Sequence, residues 1–187
     1  EPEDKVNAFI CTQDLKDEEY VNNHFVIMAT KKGQVKKTSL EKYSRPRTNG
    51  INAITIKDGD ELLEAKLTTG NSQVMLGLKS GKAIRFEESK TRPMGRNASG
   101  VRGITLADDK DEVVGMVSVN EFDSDILVVS ENGYGKRSSL EDYRITNRGG
   151  KGVKTISVTE KTGQLVAIKN VSDDDDLMII NKSGIVI

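Results

Sequence analysis

The chain has no tryptophan, one cysteine, one histidine and three prolines in 187 residues, and only 4% of its residues are aromatic. Each scarcity excludes something. A lone Cys11 rules out an internal disulfide and suits a reducing cytoplasm. A lone His24 rules out His-based catalytic pairs and His-rich metal sites, and reads as a loop or strand-edge residue. So few aromatics cannot build the successive stacking platforms that hold single-stranded nucleic acid. The longest apolar runs, such as FVIMA at 25–29, are far shorter than the roughly 20 residues that span a bilayer. No basic start followed by an apolar stretch marks a secretory signal, and the opening EPEDKVN reads like the middle of something longer.

Glycine and charge are plentiful: seventeen glycines and 30% charged residues, with a net charge of −1. The most conspicuous cluster is YRITNRGGKGV at 143–153, which invites comparison with a phosphate loop. A Walker loop reads G-x-x-x-x-G-K-[ST]. With Gly150 and Lys151 in the G-K places, Ile145 stands where the first glycine belongs and Gly152 where Ser or Thr belongs. The nucleotide-binding reading fails on both.

Internal repetition is the stronger signal. FVIMATKKGQVKK at 25–37, QVMLGLKSGKAIR at 73–85, DILVVSENGYGKR at 125–137 and DLMIINKSGIVI at 176–187 share one form: an apolar run, a polar turn closed by glycine, and a second run. The turn glycines Gly33, Gly81, Gly133 and Gly184 are spaced by 48, 52 and 51 residues. GINAITI from Gly50, GVRGITL from Gly100 and GVKTISV from Gly152 recur in step, at spacings of 50 and 52. ELLEAKL at 61–67, EVVGMVSV at 112–119 and QLVAIKNV at 164–171 close the units. Each unit reads as four short strands. The first is continuously apolar, as a strand buried on both faces should be. The glycine turns suit hairpins, and no twelve-residue window shows a helical stripe.

Four strands per roughly fifty residues is the pattern of propeller-like blades; a β-sandwich with coincidental spacing is the competing architecture. The expected units are 25–72, 73–124 and 125–175, with 176–187 beginning another. Residues 1–24 read as the end of an earlier unit, VNAFI at 6–10 resembling the strand INAIT at 51–55. Propellers close with about four to eight blades. Either 1–24 completes the unit begun at 176–187, or the chain is an open arc of a larger ring.

Charge follows the repeat. Residues 31–47 carry seven basic side chains against one acid, net +6; residues 79–102 carry seven against two, net +5; residues 131–154 carry six against three, net +3. The intervening stretches are acidic: −5 over 1–19, −3 over 57–64, −6 over 108–125 and −3 over 160–176. Equivalent repeat positions lie at equivalent places on a ring, so the basic segments predict a curved positive belt. Such a belt suits a wrapped duplex, whose phosphates are met at intervals without base readout.

Together KKGQVKKTSLEKYSRPRTNGI, RPMGRNASGVRGI and ENGYGKRSSLEDYRITNRGGKGV closely resemble the C-terminal domain of the bacterial DNA gyrase A protein, over about residues 6–187. The resemblance implies an all-β pinwheel, a propeller relative with strands exchanged between blades, of which this chain holds a partial set. It implies a DNA-wrapping, non-catalytic role within an ATP-dependent A2B2 holoenzyme. The partners are double-stranded DNA, the rest of the gyrase A protein, and the gyrase B protein. The setting is the bacterial cytoplasm, at the nucleoid. ATP and magnesium belong elsewhere in that assembly, so no cofactor and no metal is expected here. The family's QRRGGKG box is similar to Thr146, Asn147, Arg148, Gly149, Gly150, Lys151 and Gly152, with Thr for Gln and Asn for the first Arg. The family's full box lies in its first blade, so the resemblance implies blades three to five plus the start of a sixth, with 146–152 a degenerate copy.

The expected DNA contacts are Lys36, Lys37, Arg45, Arg47, Lys82, Arg85, Arg92, Arg96, Arg102, Lys136, Arg137, Arg148 and Lys151. Gly149, Gly150 and Gly152 either bring backbone close to a phosphate or serve the turn alone. Asp173, Asp174, Asp175 and Asp176 lack the alternate-position ligands and fixed glycine of a calcium loop and read as solvated. Tyr43 and Tyr143, after SLEK and SLED, read as blade-packing residues rather than nucleophiles. No acid, base and nucleophile come together in the sequence. The alternatives are the matching domain of topoisomerase IV, which binds DNA but wraps it little, and a protein-interaction propeller.

Overall fold

A computed structural model describes residues 5–120 and 124–187. The portions of the expected acidic stretches at 1–4 and 121–123 lie outside the described residues. Among the described residues the fold is all-β apart from one short helix, α1 (Glu18–Asn23), and three 3-10 turns. Asp17 caps α1, its carboxylate accepting from Tyr20 N at 3.1 Å.

The first sheet contains β1 (Phe25–Thr30), β2 (Gln34–Ser39), β3 (Leu62–Thr68) and β6 (Val101–Arg102), in the order β3-β1-β2-β6. The second contains β4 (Gln73–Leu78), β5 (Lys82–Glu87), β7 (Val113–Val119) and β10 (Val153–Lys154), in the order β10-β5-β4-β7. The third has β8 (Asp125–Ser130), β9 (Gly135–Ser139) and β11 (Leu165–Val171), in the order β11-β8-β9. All named pairings are antiparallel.

The order is the informative part. β6 belongs in sequence to the second repeat, yet it pairs with β2 of the first, Gln34 opposite Arg102 and Val35 opposite Val101. β10, from the third repeat, pairs with β5 of the second in the same way. Each completed sheet thus takes its outermost strand from the repeat that follows, which is the exchange the family resemblance implies.

Hairpin geometry explains the periodic glycines. β1 and β2 are joined by Lys31, Lys32 and Gly33, and Gly33 N–H donates to Thr30 O at 3.0 Å with φ +85°. This is the three-residue hairpin whose last position needs the left-handed region. Space demands glycine as well: a Cβ on Gly33 would sit 2.9 Å from the carbonyl oxygen of Ile104 in the donated segment.

Packing follows the alternation of strand faces. The second sheet is sandwiched, so β4 is buried at every position. Val74 and Leu76 meet Ile27, Val35 and Ile104 on one side, while Met75 meets Ile126 and Leu165 on the other. Burying side chains of this size contributes about 1.5–3 kcal/mol each. A third cluster, with Val26, Met28 and Leu40, occupies the far face of the first sheet, where Val21 of α1 and Leu15 cover it. The inner strands β3, β7 and β11 pack on one another, and Glu64 of β3 accepts from Met116 N of β7 at 3.0 Å.

Four expectations change. GINAITI at 50–56 and VNAFI at 6–10 form no strand. Ile10, Ala53 and Ile54 pack on the first sheet, but no strand pairs with either segment among the described residues, and such short strands exist only by pairing. Residues 176–187 make the hairpin turn, Gly184 N–H donating to Asn181 O at 2.9 Å, but only an isolated bridge between Ile180 and Val186. β8 alternates between buried and half-buried positions instead of being buried throughout, because only one of its faces meets another described sheet.

Candidate nucleic-acid interface

Two loop sets leave each hairpin from opposite ends. At the turn end sit the acidic loops, and their carboxylates are committed. Asp60 accepts from Thr30 Oγ1 at 2.6 Å and from Lys32 N at 2.8 Å. Asp111 accepts from Ser80 N at 3.0 Å and Ser80 Oγ at 2.8 Å. Two of the cations nearby are paired, Lys31 with Glu61 at 2.6 Å and Lys79 with Glu112 at 3.5 Å.

At the other end, residues 44–50, 91–100 and 143–152 leave the 3-10 turns and lead toward the outer strands. Arg45, Arg47 and Arg92 are exposed and Arg96 is half-buried. Arg47 and Arg96, from successive repeats, line one surface cleft of about 290 Å³ with Asn52 and Asn97. On the outer strands stand exposed Arg102 and, directly opposite half-buried Lys82, exposed Lys154. Lys151 is exposed beside them. No ion pair engages Arg45, Arg47, Lys82, Arg92, Arg96, Arg102, Lys151 or Lys154 among the described residues.

Lys82 facing Lys154 is electrostatically unfavourable, since like charges opposite one another on a strand pair destabilise it. An anion lying across both would remove that penalty. Lys154 was not singled out from the sequence, although it stands two residues past Gly152 just as Arg102 stands two past Gly100.

The 146–152 segment is strapped across the second repeat. Thr146 N donates to Arg85 O at 2.9 Å, and Gly149 N to Gly103 O at 2.6 Å. Arg148 donates from Nε to Lys90 O and from Nη1 to Arg102 O, both at 3.1 Å. Asn147 is exposed. Gly152 has φ +71°, and a Cβ there would lie 2.5 Å from Ala83 O. Gly149 also has positive φ but ordinary room, while an added Cβ on Gly150 would meet only Ile84 Cδ1, at 3.5 Å, and Asn147 O, at 3.7 Å. Gly152 therefore serves the joint, and Arg148 fixes the loop that presents Lys151.

Three expected contacts are corrected by burial. Lys36 is fully buried; its ammonium donates to Ala53 O at 2.6 Å and to Arg96 O. Burial, with the neighbouring Arg96 charge, lowers its pKa to about 8. Lys37, 4% exposed, pairs with buried Glu88 at 3.2 Å. Arg85, 5% exposed, donates to Gln73 Oε1 at 2.7 Å, Leu140 O at 2.7 Å and Tyr143 O at 2.9 Å. Lys37 and Arg85, at equivalent places in β2 and β5, face the next repeat, whereas Lys36, opposite Met28, lies on the far face of the first sheet, covered by Ala53 and by the segment around Arg96. Ile84, which occupies in β5 the place of Lys36, was the sequence signal for burial.

Lys136 and Arg137 on β9 are exposed, but Arg137 is held at 2.6 Å by both Asp125 and Asp173. Tyr143 is core, its hydroxyl hydrogen-bonded to that of Thr155, and Tyr43 donates to Ala53 O at 2.9 Å. His24 follows α1 directly before β1, its Nδ1 at 2.7 Å from Tyr20 O. Among the described residues no group of His, Cys, Asp and Glu could hold a metal, and no helix is long and apolar enough to cross a membrane.

Antiparallel sheets packed through their inner strands, with outer strands donated by the following repeat and an unpaired cationic rim, define a blade array of the β-propeller type. A family model described as DNA gyrase C-terminal domain, beta-propeller, matches residues 24–69, 79–120 and 124–172, and the chain belongs to that family. It is 44% identical over 188 residues to the DNA gyrase A protein of Staphylococcus epidermidis, a match covering 100% of this chain and 20% of the relative. The chain thus spans about one fifth of the curated relatives it matches. A crystal structure of the C-terminal domain of DNA topoisomerase IV superposes with TM-score 0.82 and 25% identity, over 88% of this chain and 51% of that one. A DNA gyrase A C-terminal domain superposes with TM-score 0.78 and 26% identity, over 88% and 55%.

Proposed function

We propose that the chain binds duplex DNA along its outer rim, without catalysis of its own, as part of the C-terminal domain of a gyrase A protein. In that setting, repeats 25–72, 73–124 and 125–175 carry the duplex past successive blades. A bacterial holoenzyme of gyrase A and gyrase B proteins would then use ATP to introduce negative supercoils, with strand cleavage in other domains. The observation that carries this reading is the Lys82–Lys154 pair on adjoining outer strands, unpaired by any described carboxylate and in phase with Arg102. Phosphates at intervals along a bent duplex match such a rim, and counterion release supplies the affinity.

The test is religation of a nicked plasmid in the presence of the chain, followed by measurement of linking number. A shift that grows with protein supports chiral wrapping. The superposition on a topoisomerase IV domain favours a second reading, in which the rim holds DNA without wrapping it. Salt-sensitive binding with no linking-number shift is its expected outcome. Absence of binding at low salt overturns both.

A further inference from the structure

After each 3-10 turn, the first exposed residues of the loop keep one order, an arginine and then an apolar side chain. They are Arg45 and Pro46, Arg92 and Pro93, and Arg144 and Ile145, all six exposed. Ile145 leaves 47% of its surface to solvent, between exposed Arg144 and exposed Asn147. A single exposed apolar residue is ordinary on a protein surface. One that returns in every repeat, always behind an arginine and always on the cationic rim, is a pattern with a use.

The backbone beneath the last two of these tips is held hard. Pro93 bridges Lys37 and Ile145 bridges Arg85, each in parallel register. The residue after each is bonded too: Met94 N donates to Lys37 O at 2.7 Å and Thr146 N to Arg85 O at 2.9 Å. Lys37 and Arg85 are themselves locked by their buried side chains. Each tip therefore stands on the preceding repeat as on a fixed base. Pro93 also has a repeat on its other side, for Arg148 reaches back to Lys90 O at 3.1 Å. It is exposed all the same, so neighbouring repeats do not cover this position.

We infer that Pro93 and Ile145, with Pro46 in the shorter first loop, are wedges that enter the minor groove of the bound duplex and partly unstack a base step. The inference rests on the rim being a DNA-binding surface. Proline and isoleucine are both side chains that architectural proteins press between base pairs, next to arginines that take the phosphates or the groove floor. A tip that must push into stacked bases needs a rigid base, which the bonds to Lys37 and Arg85 supply. The bend a curved rim demands is then concentrated at the tips instead of being spread evenly along the duplex. Pyrimidine–purine steps unstack most easily, so TA steps should be the preferred places of contact. None of the three tips is charged, so their share of the affinity releases no counterions and does not depend on salt.

The test uses this 187-residue chain and a duplex that contains TA steps and carries a fluorophore at each end. Energy transfer between the ends reads bending, and permanganate oxidation of thymine reads unstacking. The unsubstituted chain should raise both. Pro93→Ala with Ile145→Ala should return both toward the free duplex and weaken binding several-fold, with the salt slope unchanged. Ile145→Ala alone should do so in part, and Ile145→Leu should keep both signals; urea unfolding checks that each variant is folded. Failure of the unsubstituted chain to bind at low salt overturns the DNA-binding reading and this inference together. Binding without reactive thymines overturns this inference alone. So do thymines that stay reactive with the double variant, or a double variant whose salt slope falls.

Discussion

Lys37 Nζ and Glu88 Oε1 lie 3.2 Å apart across the seam between the first two repeats, with 5% and 0% of their side chains exposed. Lys37 also sits 4.4 Å from the centroid of the Phe25 ring, and Glu88 accepts from Thr68 Oγ1 at 2.6 Å and from Ser72 N at 3.2 Å. At the place of Glu88, the flanking repeats have Leu40 and Leu140, both buried. At the next seam Arg85, the counterpart of Lys37, satisfies its guanidinium on backbone carbonyls instead. One repeat position thus supplies a cation that fastens each repeat to the next.

Removing one partner of a buried pair leaves an uncompensated charge, which costs about 3–5 kcal/mol. Glu88→Ala is expected to lose about that much in urea denaturation. The double substitution Lys37→Met with Glu88→Leu should recover most of it, because it restores the leucine that the neighbouring repeats use. A double variant no more stable than Glu88→Ala would show that the pair is not the source of the loss.

Lys36 gives a pH signature. Its pKa in the folded chain is about 8 against an ordinary 10.5. Between those values the unfolded chain holds more protons, so the folded state gains stability as pH rises through that window. Below pH 8 the cost of the buried charge is present in full. Lys36→Met lacks the titrating group. The stability of the unsubstituted chain should therefore rise relative to that of the variant between pH 8 and 10.5, read from paired urea titrations. A constant difference across the window would mean that Lys36 is not held in this environment.

The architecture was legible because three registers of glycine and apolar residues repeat together, and a repeated pattern fixes where equivalent residues stand. What a short strand pairs with was not legible from local pattern. GVRG and GVKT read as strands of their own repeats, yet β6 and β10 exist only through bonds to the preceding one. Charge phase located the rim but not which cations reach it. Lys36, Lys37 and Arg85 share the basic phase with Arg45 and Arg92, but they stand within β2 and β5, where loops and 3-10 turns, chiefly of the following repeat, cover them.

Glycine substitutions separate backbone strain from crowding. Gly152 and Gly50 share positive φ, which costs about 1–2 kcal/mol with any Cβ. Only Gly152 would also push a Cβ to 2.5 Å from Ala83 O, adding an overpacking cost of about 1–3 kcal/mol. Gly152→Ala should therefore be the more damaging in thermal unfolding. Equal losses would mean that the β5–β10 joint yields freely.

The rim predicts opposite signs in two measurements. Lys82→Gln relieves the repulsion with Lys154, so stability should hold or rise by about 0.2–1 kcal/mol. DNA affinity should fall, and the slope of log affinity against log salt should shrink by about 1, the signature of one lost phosphate contact. Arg85→Met should behave in the reverse way. Losing its bonds leaves the buried acceptors Gln73 Oε1 and Tyr143 O unpaired, at about 1–3 kcal/mol each, Leu140 O keeping Tyr143 N, while the salt slope stays unchanged as long as the chain is folded. Fluorescence anisotropy with a labelled duplex, alongside urea unfolding, checks both. If Arg85→Met lowered the slope and Lys82→Gln did not, the DNA would be tracking the seam between repeats and the outer-strand assignment would be wrong.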